Sequence, residues 1–595
     1  MPNPHDPTTM SHTNTRTHCG HSMKALAGAT GLLMVIGLGF PSHAQPQAAG
    51  GSVRFEISLP AAVRAEPITG RVFVIVTRRD RPEPRLQVGG WNDPSPLFGT
   101  DVSALEAGTP AVIDATTLGY PVTSLRDLPA GDYYVQALLN VYTKFPRSDG
   151  HVIWAHMDQW EGQRFNRSPG NLFSEVQRVH LDPAAGYTVK LSLSQVVPPV
   201  QVPADTKWVR QLKIQSPLLT AFWGHPIYLG ATVLLPKDYD SHPDVHYPVV
   251  YVQGHFDLEA PTPDARTHFA TEDDTAIDRR DEARFGSMGI GTGYQFYQSW
   301  IADAYPRVIL VTFEHPTPYF DDSYAINSAN NGPFGDAIMN ELIPAVEEHY
   351  RIIRKPYARM LTGGSTGGWE SLALMVNHPK FFGGTWTMYP DPIDFRHYGL
   401  INIYDDDNAF YEPGHEWIGP ERYFQRRPTG QPEVTIKRLS QLEAVLGSHG
   451  RSAQQLDVWQ EVYGPVGDDG YPKPIWDKAT GKIDHSVALY MRDHGFDLRY
   501  YIETNWPRIG PDLVGKLHFI CGDMDDYYLN LAMYDLEDFL KNRSNPAYEG
   551  SFSWGRPEKG HGWQGMSKAD LIKMIADGTA KIAPPGENTA AWHYK

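Results

Sequence analysis

One serine lies inside a glycine-rich run, Gly363-Gly364-Ser365-Thr366-Gly367-Gly368. The run follows a short apolar segment, 358–362, and precedes a helix-like stretch, 369–376. A strand, a sharp turn carrying one serine and then a helix form the context in which a serine hydroxyl acts as a nucleophile. Side chains at Gly363 or Gly367 would clash with the crossing strand and helix, so glycine is a steric requirement there. The positive end of the helix dipole and its free N–H groups would face the atom under attack. The pattern predicts nucleophilic chemistry at Ser365.

Two later segments carry the other groups that a serine nucleophile needs. A histidine must take the hydroxyl proton, and a carboxylate must hold that histidine in the right tautomer. The run Cys521-Gly522-Asp523-Met524-Asp525-Asp526 follows an apolar segment, and Lys559-Gly560-His561-Gly562-Trp563 follows a strand-like segment, 552–554. Serine, then acid, then histidine is the chain order of α/β hydrolases. The residues alone leave the acid open among the three aspartates, since Asp523 or Asp526 would also suit the cap of a helix starting near Tyr527.

The elements that must position these residues follow an alternating pattern. Short apolar runs without alternation suit strands that are covered on both faces, and helical spacing recurs between them. We therefore predict a mostly parallel α/β sheet over 208–595 that opens with a hairpin at 209–214 and 227–235. Together with the order of serine, acid and histidine, this sheet leads us to expect an α/β-hydrolase domain. The apolar runs lie at 247–252, 308–311, 358–362 and 517–520, and the helical patterns at 338–346 and 369–376.

A segment of the chain at about 390–510 interrupts this alternation. It is rich in aromatic residues, lacks an obvious long strand, and has helical character near 434–446. An insertion of this length predicts a lid or cap over the sheet, with an ordinary peripheral subdomain as the alternative.

The residues before the hydrolase domain have strand character. Val53, Phe55, Ile57 and Leu59 alternate with polar residues, and β-branched and aromatic runs follow at 71–77 and 133–142. Period-two alternation is typical of half-buried antiparallel strands, so we predict an N-terminal all-β sandwich domain over 45–196 with a packing or binding role. The proline-rich stretch 197–207 predicts a stiff linker.

The N-terminus predicts export. Met23-Lys24 precedes an apolar stretch, 25–40, and Ser42-His43-Ala44 offers small residues for cleavage. We expect residues 1–44 to be a signal peptide and the protein to be periplasmic or extracellular; a retained N-terminal anchor is the alternative.

Composition narrows the classes of partner. The chain has 595 residues, 41% of them hydrophobic, and a formal charge of −17. These values argue against disorder, and against nucleic acid or an anionic membrane as partner. The two cysteines, Cys19 and Cys521, exclude a thiolate zinc site, and cleavage of the signal would leave one. The oligomeric state stays open.

Two weaker candidates remain. The run Asp405-Asp406-Asp407 could bind calcium, but such runs are more often simply solvated. One loop follows a predicted strand at the edge of the sheet that is expected to carry Ser365. This loop would either shape a substrate pocket or have no special role. Its polar and aromatic residues are Tyr319, Asp321, Asp322, Tyr324 and Asn327.

Residues 225–390 and 510–570 resemble the putative-esterase family of α/β hydrolases, which includes esterase D, feruloyl esterases, enterochelin esterases and mycolyltransferases. The resemblance implies Ser365 as nucleophile, Asp525 as acid and His561 as base, without metal or organic cofactor. The motifs that carry it are 247–254, Glu341-Leu342-Ile343-Pro344, His349-Tyr350-Arg351, Leu361 to Gly368, His378-Pro379, Phe381-Phe382-Gly383, Cys521 to Asp525 and Gly560 to Trp563.

The resemblance also implies an oxyanion hole of two backbone N–H groups, those of Thr366 and His255. The chain departs from the family pattern here. Many members have His-Gly-Gly where this chain has Gln253-Gly254-His255, and most have methionine where Thr366 stands.

These residues lead to an expected function. We expect an exported serine carboxylic-ester hydrolase that forms an acyl-enzyme on a small-molecule or glycan-linked ester. The alternatives are an acyltransferase with the same triad, a serine peptidase of the prolyl-oligopeptidase kind, and a non-catalytic binding protein. The roughly 150 residues of N-terminal strands are too few for the propeller of such peptidases.

Overall fold

A computed structural model describes residues 51–258, 269–271, 289–414, 419 and 421–594. They belong to one compact unit, Gly50–Lys595. The predicted signal peptide at 1–44 lies outside the described residues. Among the helices that are described, none has the length and apolar character needed to cross a membrane.

The described residues up to 196 form strands and short 3₁₀ turns. Three strands make one sheet in the order β11-β1-β4, and seven make another, β12-β9-β6-β2-β3-β5 with β10 on β6; β7 and β8 pair separately. Phe55 of the first sheet and Val74 of the second belong to one buried cluster. The strand content is as predicted, and the separate sandwich domain and its boundaries stay predictions. The strands are β1 Val53–Ser58, β2 Ile68–Thr77, β3 Leu97–Leu105, β4 Ala111–Asp114, β5 Gly119–Tyr120, β6 Gly131–Val141, β7 Thr143–Pro146, β8 Val152–Ala155, β9 Leu172–Phe173, β10 Gln177–Leu181, β11 Tyr187–Ser192 and β12 Gln195–Val196.

An eight-stranded sheet carries the rest of the chain. Its order is β13-β14-β16-β15-β17-β18-β21-β22, antiparallel at the first two pairings and parallel from β16 onward. The predicted apolar runs are strands with both faces buried, as in β15 and β16. The strands are β13 Val209–Ser216, β14 Ile227–Leu234, β15 Val249–Gln253, β16 Ile309–Glu314, β17 Arg359–Gly364, β18 Gly384–Met388, β21 Leu517–Gly522 and β22 Ser551–Gly555; a separate pair is β19 Tyr423–Arg426 and β20 Pro432–Thr435.

Helices connect these strands. They are α1 Pro217–Trp223, α2 Gly293–Trp300, α3 Phe334–Ala337, α4 Ile343–His349, α5 Thr366–Asn377, α6 Ile436–Leu446, α7 Gln455–Tyr463, α8 His485–Asp493, α9 Leu498–Leu513, α10 Asn530–Asn542 and α11 Lys568–Ile582, with a π-helix at Ile338–Leu342 between α3 and α4.

The antiparallel pairing of the predicted opening hairpin is confirmed by strands β13 and β14. The connection between them forms α1, which the sequence analysis does not predict. The Ser216 side chain accepts the N–H of Leu219, Pro217 stands at the first position, and Gly224 ends the helix at φ 68°. All three are helix-boundary signals that the sequence displays.

The segment 390–510 forms helices and the β19–β20 pair, and it contacts the N-terminal strands. Arg438 of α6 donates to the Tyr120 hydroxyl at 2.9 Å, and Arg71 of β2 donates to the carbonyl of Val445 at 2.9 Å. Its role as a lid stays a prediction.

Candidate active site

Ser365 occupies a strained turn between β17 and α5. Its backbone has φ 60° and ψ −123°, in the left-handed half of conformational space that non-glycine residues rarely adopt. A Cβ on Gly367 would lie 2.0 Å from the carbonyl oxygen of Gln253 in β15, and one on Gly363 would lie 2.3 Å from the Gly367 carbonyl oxygen. The helix therefore starts against the neighbouring strand, and glycine is needed at both positions.

His561 and Asp525 form a buried pair on loops after β22 and β21. His561 Nδ1 lies 2.8 Å from Asp525 Oδ2, and the two residues are 4% and 0% exposed. The other Asp525 oxygen accepts the backbone N–H groups of Tyr527 (2.9 Å) and Leu529 (3.3 Å). These bonds fix the carboxylate so that one oxygen faces the imidazole. The ring of Tyr389 packs edge-on against the imidazole at 4.7 Å.

The neighbouring aspartates have other roles. Asp523 accepts the backbone N–H of Lys559 at 3.2 Å, and Asp526 accepts the backbone N–H of His561 at 3.0 Å. Burial raises the pKa of Asp526 above its usual value. Of the three candidates left open by the residues, Asp525 is the one beside the imidazole.

Ser365 and His561 line one cavity of about 240 Å³, which we call the Ser365 cavity. Residues from four parts of the chain surround it, including the N-terminal strand region and the segment 390–510. The other lining residues are Trp91, His255, Phe320, Asp391, Phe424, Ala453, Gln454, Gln455, Trp459, Tyr527 and Leu529.

The Ser365 hydroxyl points to a carboxylate. Its Oγ donates to Asp391 Oδ1 at 3.3 Å, and within the described part of the chain it makes no hydrogen bond to His561. Catalytic hydrogen bonds are often longer or differently aimed in a site without substrate. A rotation about the Cα–Cβ bond would turn the hydroxyl away from Asp391.

Asp391 is the centre of a polar network. It is 3% exposed and follows β18 at the carboxyl edge of the sheet. Its Oδ2 accepts from the hydroxyl of Tyr324 (2.6 Å), Oγ1 of Thr366 (3.1 Å), Nε2 of Gln455 (3.0 Å) and Nε1 of Trp459 (3.1 Å).

The two residues implied for the oxyanion hole lie at this edge. Thr366 is the first residue of α5, where N–H groups lack intrahelical acceptors. His255 follows β15, and its Nδ1 lies 3.1 Å from Asp321 Oδ1 and 3.2 Å from Asp322 Oδ2. Burial opposes a charge on His255, but the two carboxylates outweigh it and hold its pKa well above the usual value.

The same trio has the spacing of a cation site. The ligand atoms of His255, Asp321 and Asp322 lie within 4.8 Å of one another. An imidazolium between two carboxylates already satisfies this charge pattern, so the geometry does not call for a metal.

Among the other residues singled out in the sequence, one contacts the site and three make contacts elsewhere. Tyr324 reaches the site through Asp391, whereas Tyr319 packs on Trp223 with ring centroids 6.2 Å apart. Asn327 accepts the backbone N–H of Asp336 at 2.9 Å. In the acidic run, Asp406 pairs with Arg422 at 3.0 Å.

Sequence reasoning missed Trp91 and Asp391. Asp391 has a readable signal, since it lies three residues after the end of the buried strand β18, Gly384–Met388, on the edge that carries Ser365. Trp91 has none: its Nε1 donates to Gln454 Oε1 at 2.9 Å, across 363 positions of sequence. Its ring also packs on Phe424 at 5.1 Å and Tyr527 at 5.7 Å.

Comparison with known proteins gives a family match for the central part of the chain. The fold is α/β-hydrolase-like. The enzyme class that the family match supports is that of the carboxylic ester hydrolases. Residues 228–390, which include Ser365, match the family model described as putative esterase. Over these residues the chain is similar to the putative-esterase family, as the sequence motifs predict.

Several solved structures are similar over much of the chain. A ferulic acid esterase is 15% identical, with 62% of this chain and 97% of the other covered and a TM-score of 0.31. An S-formylglutathione hydrolase from Staphylococcus aureus is 13% identical, with 62% and 98% covered and a TM-score of 0.30. A prolyl endopeptidase is 10% identical, with 82% and 63% covered and a TM-score of 0.35. Because all three TM-scores are below 0.5, these similarities do not identify the activity or the substrate of this chain. A search of curated proteins found no match.

Proposed function

We propose that this protein hydrolyses carboxylic esters with Ser365 as nucleophile, His561 as general base and Asp525 as the residue that orients His561. The observation that carries the proposal is the 2.8 Å bond between Asp525 and His561 beside a cavity that Ser365 also lines. A histidine with a buried carboxylate on one nitrogen presents its other nitrogen in the tautomer that accepts a proton.

The reaction starts when the Ser365 hydroxyl turns from Asp391 to Nε2 of His561. The oxygen attacks the ester carbonyl while His561 takes the proton, and the N–H groups of Thr366 and His255 stabilise the oxyanion. Collapse of the tetrahedral intermediate breaks the ester bond, and His561 protonates the departing alcohol. Water, deprotonated by His561, then releases the acid from Ser365.

The proposal extends to setting and substrate. The protein is exported, to the periplasm or beyond the cell, after removal of residues 1–44. Its substrate is a small-molecule or glycan-linked ester, and no cofactor takes part. The segment 390–510 covers the site as a lid, and the N-terminal strand domain braces it, because Phe424 and Trp91 both line the Ser365 cavity.

The test is turnover of p-nitrophenyl acetate by the purified chain and by Ser365→Ala. We expect kcat to fall at least about 10⁴-fold, the scale at which serine hydrolases lose activity without their nucleophile. The control Ser299→Ala removes the same group from α2, where Oγ donates to the Gln295 carbonyl away from the cavity, and should keep full activity. Retained turnover in a folded Ser365→Ala protein would refute the proposal. Adding peptide substrates and alcohol acceptors separates hydrolysis from the peptidase and acyltransferase alternatives.

A further inference from the structure

The Ser365 cavity combines aromatic rings with one negative charge. Five of its lining residues are aromatic, and one, Asp391, is a carboxylate that faces the nucleophile. No lysine or arginine is among the described residues that line it, and the imidazolium of His255, which also lines it, is already paired with Asp321 and Asp322. The aromatic residues are Trp91, Phe320, Phe424, Trp459 and Tyr527.

The charge on Asp391 has no cationic partner. Its hydrogen bonds come from neutral donors, the hydroxyls of Ser365, Tyr324 and Thr366, the Gln455 amide and the Trp459 indole. No ion pair to it is found within the described ranges. Neutral donors stabilise the ionised carboxylate but leave its net charge, and buried charges in proteins are normally paired. A carboxylate that is paired by nothing in its own fold and opens into a cavity suits a cation brought by a ligand.

The aromatic rings suit the same ligand. The faces of indole and phenol rings attract cations, and recognition of ammonium groups by aromatic cages is a known use of this attraction. Trp459 stands directly beside the carboxylate because its Nε1 lies 3.1 Å from Asp391 Oδ2. At about 240 Å³ the cavity is smaller than the roughly 300–1,000 Å³ of pockets for drug-sized ligands, so the ligand is small.

We propose that the Ser365 cavity selects small esters that carry a cationic nitrogen, a quaternary or protonated ammonium group, near the ester bond. This inference rests on the proposed ester hydrolysis and names its substrate class. The cation lies between the aromatic rings and Asp391. There it weakens the hold of the carboxylate on the Ser365 hydroxyl, which frees the hydroxyl to turn to His561. Asp391 is thus a specificity-determining residue.

The test compares acetylthiocholine with its uncharged carbon isostere, 3,3-dimethylbutyl thioacetate. The two thioesters have the same shape and release a thiol that the same colorimetric reagent detects. We expect kcat/KM to favour the cationic ester by at least about tenfold, and this ratio to fall close to one in Asp391→Asn. The ratio is the readout because a general loss of activity in the variant cancels. The control Asp405→Asn makes the same change at an exposed aspartate whose Oδ2 accepts from Asn402, and should keep the wild-type ratio.

A binding measurement makes the inference independent of turnover. Calorimetry with tetramethylammonium chloride should show binding to the wild-type chain and to Ser365→Ala, with sodium chloride at equal concentration as the blank. Equal kcat/KM for the two thioesters in the wild type, or no binding of tetramethylammonium, overturns the cation site while ester hydrolysis stands. Binding without any Ser365-dependent turnover overturns the proposed function and leaves the cation site supported.

Discussion

Replacing Gly367 by alanine tests the turn that positions the nucleophile. Gly→Ala inside a helix normally stabilises by up to about 1 kcal/mol. At Gly367 the new Cβ would lie 2.0 Å from the Gln253 carbonyl oxygen and 2.8 Å from the Gly254 nitrogen. Ordinary contact begins near 3.4 Å, so α5 and β15 must separate by more than 1 Å. Both groups are backbone and cannot rotate away. Overpacking costs about 1–3 kcal/mol, and more where nothing yields, so we expect a net loss of about 2–4 kcal/mol.

Activity should fall as well, because the displaced segments carry Ser365 and the loop at 254–255. A misplacement of about 1 Å costs roughly 100-fold in rate, so we expect kcat/KM on p-nitrophenyl acetate to fall at least that far. Urea denaturation and the esterase assay are measured on the same preparations.

The matched control is Gly578→Ala in α11. A Cβ there would meet the Trp386 ring at 3.6 Å, an ordinary contact, so the same substitution should stabilise by about 0.5–1 kcal/mol and leave turnover unchanged. If Gly367→Ala matches the wild type in both stability and kcat/KM, α5 does not start in close contact with the backbone of β15.

Substitutions at three further positions give distinct results. Asp525→Asn should lower kcat by about 10⁴-fold, since an amide favours the wrong tautomer of His561; turnover within tenfold of wild type would assign the acid elsewhere. Trp91→Ala should lower kcat/KM roughly 10–100-fold because it opens the cavity wall, whereas Trp91→Phe should keep most of the activity. If both variants had the kinetics of the wild type, the N-terminal strand region would not contribute to the site. Glu370→Gln should gain stability over wild type as pH rises from 5.5 to 7.5, by about 1.4 kcal/mol per pH unit until Glu370 ionises. Urea melts that show a constant difference across that range would contradict it.

The burial of Glu370 explains why Glu370→Gln should gain stability over the wild type as the pH rises. Glu370 is fully buried in α5, and within the described residues neither of its oxygens has a hydrogen-bond partner. Burial, followed by the charge of Asp322, raises its pKa well above the usual value. The folded protein therefore holds a proton that the unfolded chain releases above about pH 4.5, so this contribution to stability is lost as pH rises toward the folded pKa. Glutamine resembles the neutral acid and has no proton to lose.

Local sequence patterns were enough to predict the parts of the site that depend on neighbours in the chain. The glycine run predicted the turn at Ser365 because the steric requirement lies within a few residues. The apolar runs predicted β15, β16 and β21 because strands buried on both faces need no alternation. The helix α1 is not predicted although its boundary residues are present in the sequence, because the strand patterns on either side of it predict a hairpin.

The rest of the cavity depends on contacts between distant segments. Trp91 meets Phe424 and Gln454 only after the N-terminal strands pack against the segment 390–510, and no local periodicity encodes that packing. The link between Ser365 and Asp391 likewise follows from the register of β17 against β18. Such contacts between distant segments form the walls of the cavity and therefore determine which substrate fits. The position of the nucleophile depends much less on them.

The most direct test of Ser365 as nucleophile is covalent labelling. The wild-type chain is treated with a fluorophosphonate, digested, and mapped by mass spectrometry. We predict one adduct, on Ser365, formed in step with the loss of esterase activity and absent after Asp525→Asn or Ser365→Ala. An adduct on another residue, or full loss of activity with Ser365 unmodified, would contradict the account.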